Sequence, residues 1–128
     1  MKFLIDAHAL IWATDDPSKL GVRASQVLQD RASELFLSAG TVWEIAIKTG
    51  LGRLELSLPL RDWVGQVIVE FDLTLLPITV DHAHQQAGLP HHHKDPFDRL
   101  LVAQAQVEGC SLVSCDTAFD TYSVPRLW

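Results

Sequence analysis

The sequence predicts an α/β protein of three layers: a short parallel sheet of four to five strands with helices on both faces. Short runs of β-type residues alternate along the chain with segments whose apolar residues recur at helical spacing, the order that a parallel sheet with crossover helices requires. The 128 residues, 48% hydrophobic and 20% charged, suffice for a sizeable core and suit a single domain over residues 1–128. No internal repeat, linker or low-complexity tract interrupts them.

Lys2 to Ile5 reads as a strand ending at Asp6, and Ala7 to Trp12 as a short helix. After the turn signals Asp15, Asp16, Pro17 and Ser18, the residues Leu20, Ala24, Val27 and Leu28 keep helical spacing, and Leu35 to Leu37 gives a second strand. Ser38-Ala39-Gly40 leads into a helix over Thr41 to Lys48, stopped by Gly50 and Gly52. Leu60, Trp63, Val64, Val67, Ile68 and Phe71 form the clearest amphipathic pattern, a helix for the core or an interface. Leu73 to Leu76 is a third strand, and Thr79 opens a weaker helix through Ala87 that Gly88-Leu89-Pro90 breaks. The next helix begins at Pro96, a residue suited to the first helical position, with Asp95 as N-cap and Asp98 at N3, and runs to about Glu108. Gly109 ends it, Ser111 to Ser114 is a fourth strand reaching Asp116, and Ser123 to Leu127 adds a short edge strand.

The formal net charge of -6 excludes a protein that holds nucleic acid by bulk positive field alone, and it permits clustered carboxylates that hold cations. No apolar run approaches a membrane span, and Asp6 comes too soon after Met1 for a signal peptide, so a cytoplasmic chain is expected. Cys110 and Cys115 flank a strand that holds their Cα atoms too far apart for a disulfide with each other, and reduced thiols fit that compartment.

In a parallel α/β sheet the ligand crevice lies outside the carboxyl ends of the strands. Asp6 and Asp116 each close a strand, Glu44 lies in a helix that comes directly after one, and the helix of Asp98 begins at the same edge, so four acids converge on one rim. Each has an ordinary structural explanation: Asp6 and Asp116 can cap the helices after them, Asp95 and Asp98 complement a helix N-terminus, and Glu44 completes a Thr41-x-x-Glu44 capping box with Lys48 as its i+4 partner. Asp81 lands near the same rim and is not excluded. Asp98 is the hardest to dismiss, because its stripe continues through Val102 and Ala105, the face a helix buries. Clustered carboxylates raise one another's pKa unless a cation reverses the sign, and oxygen-only ligands suit Mg²⁺ or Mn²⁺. The chemistry expected of such a rim is phosphoryl transfer at a phosphodiester.

The chain resembles the PIN-domain proteins of the VapC toxin family, the ribonuclease half of bacterial type II toxin-antitoxin pairs. The resemblance rests on Phe3-Leu4-Ile5-Asp6-Ala7-His8-Ala9-Leu10, on Leu37 to Lys48, on Lys94 to Ala105 and on Leu112-Val113-Ser114-Cys115-Asp116, and runs over essentially the whole chain. It implies a PIN-like fold and a Mg²⁺- or Mn²⁺-dependent endoribonuclease in which Asp6, Glu44, Asp98 and Asp116 match the family's acidic quartet as catalytic metal ligands. Asp116 matches its most variable position. The resemblance also implies an RNA substrate, a homodimer and a cognate antitoxin that holds the protein inactive. Asp95 is left with a possible role behind the metal ligands.

Lys48, Arg53, Lys94 and Arg99 are candidates for RNA phosphate contacts. His91, His92 and His93 read as a polar loop over the rim, since three adjacent residues do not all face one ion. Trp12, Trp43, Trp63 and Trp128 read as core or dimer packing rather than as base-stacking platforms. Two alternatives stay open: a non-catalytic RNA- or partner-binding domain of the same fold, and a receiver-type Mg²⁺-binding phosphoacceptor domain. The second wants an acid pair after the first strand and a lysine after the last, whereas Asp6 stands alone and no lysine comes after Lys94.

Overall fold

The computed structural model describes residues 1–128. Five parallel strands form one sheet in the order β3-β2-β1-β4-β5: β1 Lys2–Ile5, β2 Glu34–Ser38, β3 Leu73–Leu76, β4 Ser111–Val113 and β5 Arg126–Leu127. Six α-helices connect or flank them: α1 Ala7–Asp15, α2 Val22–Gln29, α3 Ala39–Gly50, α4 Leu60–Glu70, α5 Val80–Ala87 and α6 Pro96–Glu108. Short 3-10 turns cover Pro17–Lys19 and Thr117–Thr121.

The two layers of core arise from the two-residue period of the strands. Phe3 and Ile5 of β1 point to one face, where Leu10, Ala24, Leu28, Ile45, Trp63 and Val67 from α1 to α4 cover them. Leu4 points to the other, against Leu101, Val102 and Ala105 of α6, with Phe119 and Tyr122 closing the layer. The amphipathic pattern of α4 is therefore a core pattern, with Trp63 and Val67 wholly buried. Helix α5 packs along α6.

Strand order places the site. The chain winds from β1 outward through β2 to β3, then crosses to β4 on the opposite side of β1, so the order reverses between β1 and β4. A crevice opens beyond the carboxyl ends of strands at such a reversal. Asp6 comes directly after β1 and Asp116 stands three residues after β4, one on each side of it. Gly40, near the start of α3, is where that helix approaches α6, and a Cβ there would collide with the Leu100 side chain.

Most element boundaries fall where the sequence puts them, and the differences have local causes. Helix α3 begins at Ala39, not Thr41, because β2 continues to Ser38, whose hydroxyl accepts the Gly40 amide at 3.0 Å as N-cap. The capping box of Thr41 and Glu44 is therefore absent, and Glu44 lies in the second turn. Ser114 lies just outside β4, and its hydroxyl accepts the Asp116 amide at 3.0 Å, starting the turn that carries Asp116. Cys110 and Cys115 are free thiols.

Candidate active site

The predicted acids meet in one cavity of ≈ 190 Å³, whose walls include Asp6, Glu44, Asp95, Asp98 and Asp116 together with Lys48. Asp6 is N-cap of α1, with Oδ1 accepting the Ala9 amide at 2.9 Å, and is only 9% exposed. Burial raises its pKa above the ordinary carboxyl value, against the lowering effect of the Ser114 hydroxyl and the Ala9 amide. Glu44 is 8% exposed and receives Lys48 Nζ at 2.8 Å, an i,i+4 ion pair within α3. That contact, above all, holds the Lys48 pKa above its ordinary value.

Asp95 is the N-cap of α6, as the Asp-Pro pair requires: its Oδ1 accepts the amides of Phe97 at 2.8 Å and Asp98 at 3.2 Å. Asp98 is half-buried at N3, and its carboxyl is pushed up to about 7, first by burial and next by the Asp95 charge. Asp116 is exposed, with Oδ1 accepting the Ala118 amide at 2.9 Å. Capping and convergence coexist. A capping carboxylate spends one oxygen on backbone amides, and the other remains to face the cavity.

The donor set fits a hard divalent cation. Five carboxylates face one cavity whose lysine is already paired with Glu44, and a shared cation offsets the burial and the neighbouring charge that raise Asp98. The direction of the shift sets the sign of the pH dependence. A carboxyl raised from 3.8 to about 7 binds more protons folded than unfolded, so its contribution to the stability of the metal-free protein is full below 3.8 and is lost as pH rises through about 7.

The basic candidates separate. Lys48 lines the acidic cavity, and Arg53 lines an adjoining one of ≈ 200 Å³ that shares Ala7, His8, Glu44 and Lys48 with it. Lys94 is exposed in the loop before α6. Arg99 overturns the expectation of a phosphate contact: it is 8% exposed, and its guanidinium donates to the carbonyls of Pro90 at 2.8 Å and Gln86 at 3.1 Å and to Tyr122 Oη at 3.3 Å. The side chain is committed to bonds within the protein. Asp81 is exposed and does not line the acidic cavity.

His93 joins the site, although the sequence pattern puts it in a polar loop. Its Nε2 stands 3.3 Å from Asp98 Oδ2, and ligand atoms of His93, Asp98 and Asp116 lie within 4.8 Å of one another. His91 and His92 are exposed, and the ring of His92 stacks edge-on against Tyr122. Neighbouring loop residues point in different directions, so one of three adjacent histidines reaches the rim.

This geometry defines a class: parallel α/β proteins that gather carboxylates from separate elements at the strand-order reversal. A PIN domain family model matches residues 3–125. Over 124 residues the chain is 31% identical to Ribonuclease VapC22 of Mycobacterium tuberculosis, covering 96% of this chain and 93% of that protein. The fold is similar to that in the crystal structure of VapBC2 from Rickettsia felis bound to a promoter DNA fragment, with a TM-score of 0.77 at 12% identity over 100% of this chain and 99% of that one. It is also similar to VapBC-1 of nontypeable Haemophilus influenzae, with a TM-score of 0.69 at 16% identity over 99% of this chain and 97% of the other. The chain belongs to the PIN domain family.

Proposed function

We propose that this protein is a metal-dependent endoribonuclease, the toxin of a toxin-antitoxin pair, with Asp6, Glu44, Asp98 and Asp116 holding Mg²⁺ or Mn²⁺. The observation that carries the reading is the shared cavity of carboxylates, with Asp98 raised to about 7 and a lysine already paired with Glu44. A divalent cation bound there supplies charge neutralisation for the phosphodiester and lowers the pKa of an attacking water. The chain's own residues do the rest. The Ala9 amide fixes the Asp6 carboxylate, Lys48 fixes Glu44, and Asp95 sets where α6 begins and thereby where Asp98 points. Water adds its oxygen to phosphorus and the 3′-oxygen departs with a proton, leaving a 5′-phosphate and a 3′-hydroxyl. Nothing in this chemistry needs the 2′-hydroxyl. The choice of RNA is supported by the relative named as a ribonuclease.

Arg53 and Lys94 are exposed beside the rim and serve RNA phosphates. The antitoxin partner is supported by structural neighbours named VapBC, and the cytoplasm, where RNA and reduced thiols coexist, is the expected compartment. No helix is long and apolar enough to cross a membrane.

Self-association uses α3. Trp43 is 62% exposed, Ile47 and Leu51 come after it at four-residue spacing, and Phe97 stacks edge-on against the indole. A second copy of the chain covering this stripe forms the homodimer. Trp43→Glu puts a charge on that face, and light scattering is expected to show a monomer where the wild type is a dimer. An unchanged dimer places the interface elsewhere.

Cleavage of structured RNA with Mg²⁺ or Mn²⁺, with EDTA, and with Asp6→Asn tests the activity. Asparagine still caps α1, so the variant is expected to fold and to lose cutting. With Mn²⁺ held below saturation, wild-type rates are expected to rise with pH up to about 7 and then level off, because the cation competes with the proton on Asp98. Undiminished cutting by Asp6→Asn would sink the assignment.

A further inference from the structure

We propose that His93 is a positioning residue of the acidic site: the Asp95 amide holds its ring as the Nε2–H tautomer, and that N–H orients the Asp98 carboxylate without binding the cation. The proposal rests on the reading of the rim as a cation site.

The polarity of the ring is the observation behind it. His93 Nδ1 accepts the Asp95 backbone N–H at 3.0 Å. A ring nitrogen that accepts carries no proton, so the proton of the neutral imidazole sits on Nε2. That nitrogen faces Asp98 Oδ2 at 3.3 Å, donor toward acceptor. The spacing of His93, Asp98 and Asp116 would suit direct ligation, but a histidine that ligates a metal offers a bare nitrogen to it and donates from the other. Here the polarity is reversed: the nitrogen turned toward the acids bears the proton.

The position of the ring is built rather than incidental. The His93 amide donates to Tyr122 Oη at 3.0 Å, and the same oxygen accepts Arg99 Nη1 at 3.3 Å. Arg99 also ties down the Pro90 and Gln86 carbonyls, so a buried guanidinium one residue beyond Asp98 anchors the loop that carries His93. The histidine and the carboxylate it faces are thus referenced to the same turn of α6. Asp95 serves both, accepting from the amides of Phe97 and Asp98 with its side chain while its own amide sets the His93 tautomer.

Two substitutions separate the ring's two contacts. His93→Asn keeps an acceptor near the place of Nδ1 but has nothing to reach Asp98, whereas His93→Gln keeps an N–H near the place of Nε2. The measurements are ¹⁵N chemical shifts of the His93 ring in metal-free protein, Mn²⁺ affinity by calorimetry, and single-turnover RNA cleavage. The expected results are the Nε2–H tautomer, Mn²⁺ affinity and cleavage in the Gln variant within about threefold of wild type, and a loss of about tenfold to a hundredfold in the Asn variant at unchanged melting temperature. The Nδ1–H tautomer, imidazole nitrogen coupling to bound Mn²⁺ in pulsed electron resonance, or an Asn variant equal to wild type would each overturn the proposal. Wild-type protein that binds no Mn²⁺ fails the cation reading instead, while the tautomer, read without metal, decides the ring's polarity independently.

Discussion

Asp98→Asn is expected to lower RNA cleavage by on the order of a thousandfold while raising the melting temperature of the metal-free protein at about pH 8. The two effects have one origin. A bound cation contributes several kcal/mol of charge stabilisation to phosphodiester hydrolysis, and losing its hold costs about that much in the barrier. Without the cation the same carboxylate is a liability, since burial and the neighbouring Asp95 raise its pKa to about 7 and its ionised form destabilises the fold. Asparagine keeps the shape and removes the charge. Thermal melts and single-turnover cleavage of the same preparations check both halves, and a variant that loses activity together with stability would mean that Asp98 acts as a structural residue.

Arg99→Met is expected to lose about 3 kcal/mol of stability in urea titrations, because removing the guanidinium strands the Pro90 and Gln86 carbonyls that it satisfies and breaks its contact with Tyr122 Oη. Methionine retains most of the aliphatic packing, so the loss isolates the polar contacts. The slope of RNA affinity against salt is expected to stay at its wild-type value, whereas a residue that neutralised a phosphate would lower it. A stable variant with a reduced slope would restore Arg99 to the RNA surface.

The contrast between Asp95 and Arg99 shows where sequence reasoning reaches. Asp95, Pro96 and Gly109 delimit α6 by local chemistry alone: a cap that accepts two amides, a ring with no N–H to lose, and a residue at φ 70 after the last turn. Those signals act within a few residues, so α6 is readable to its ends. The acids of the rim are readable for a different reason, since alternating strands and helices place every strand's carboxyl end on one edge. Arg99 is misread because a cation beside an acid on a catalytic rim looks the same in sequence whether it meets a phosphate or a buried carbonyl. Its partners, Pro90 and Tyr122, are brought to it only by folding. His93 is missed through the same dependence, being placed by the loop that Arg99 anchors. The start of α3 is misplaced because Ser38 and Thr41 are both good caps, and the length of β2, set by pairing with β3, decides between them.

Asp6, Glu44, Asp98 and Asp116 are read as one cation site at the rim, with Asp98 part of it. Calorimetric titration of Mn²⁺ into wild-type protein and into Asp98→Asn at about pH 7.5 tests it most directly. A saturable heat is expected in the wild type, with protons released on binding, and its loss in the variant. An equal heat in both proteins, or none in the wild type, would contradict the claim.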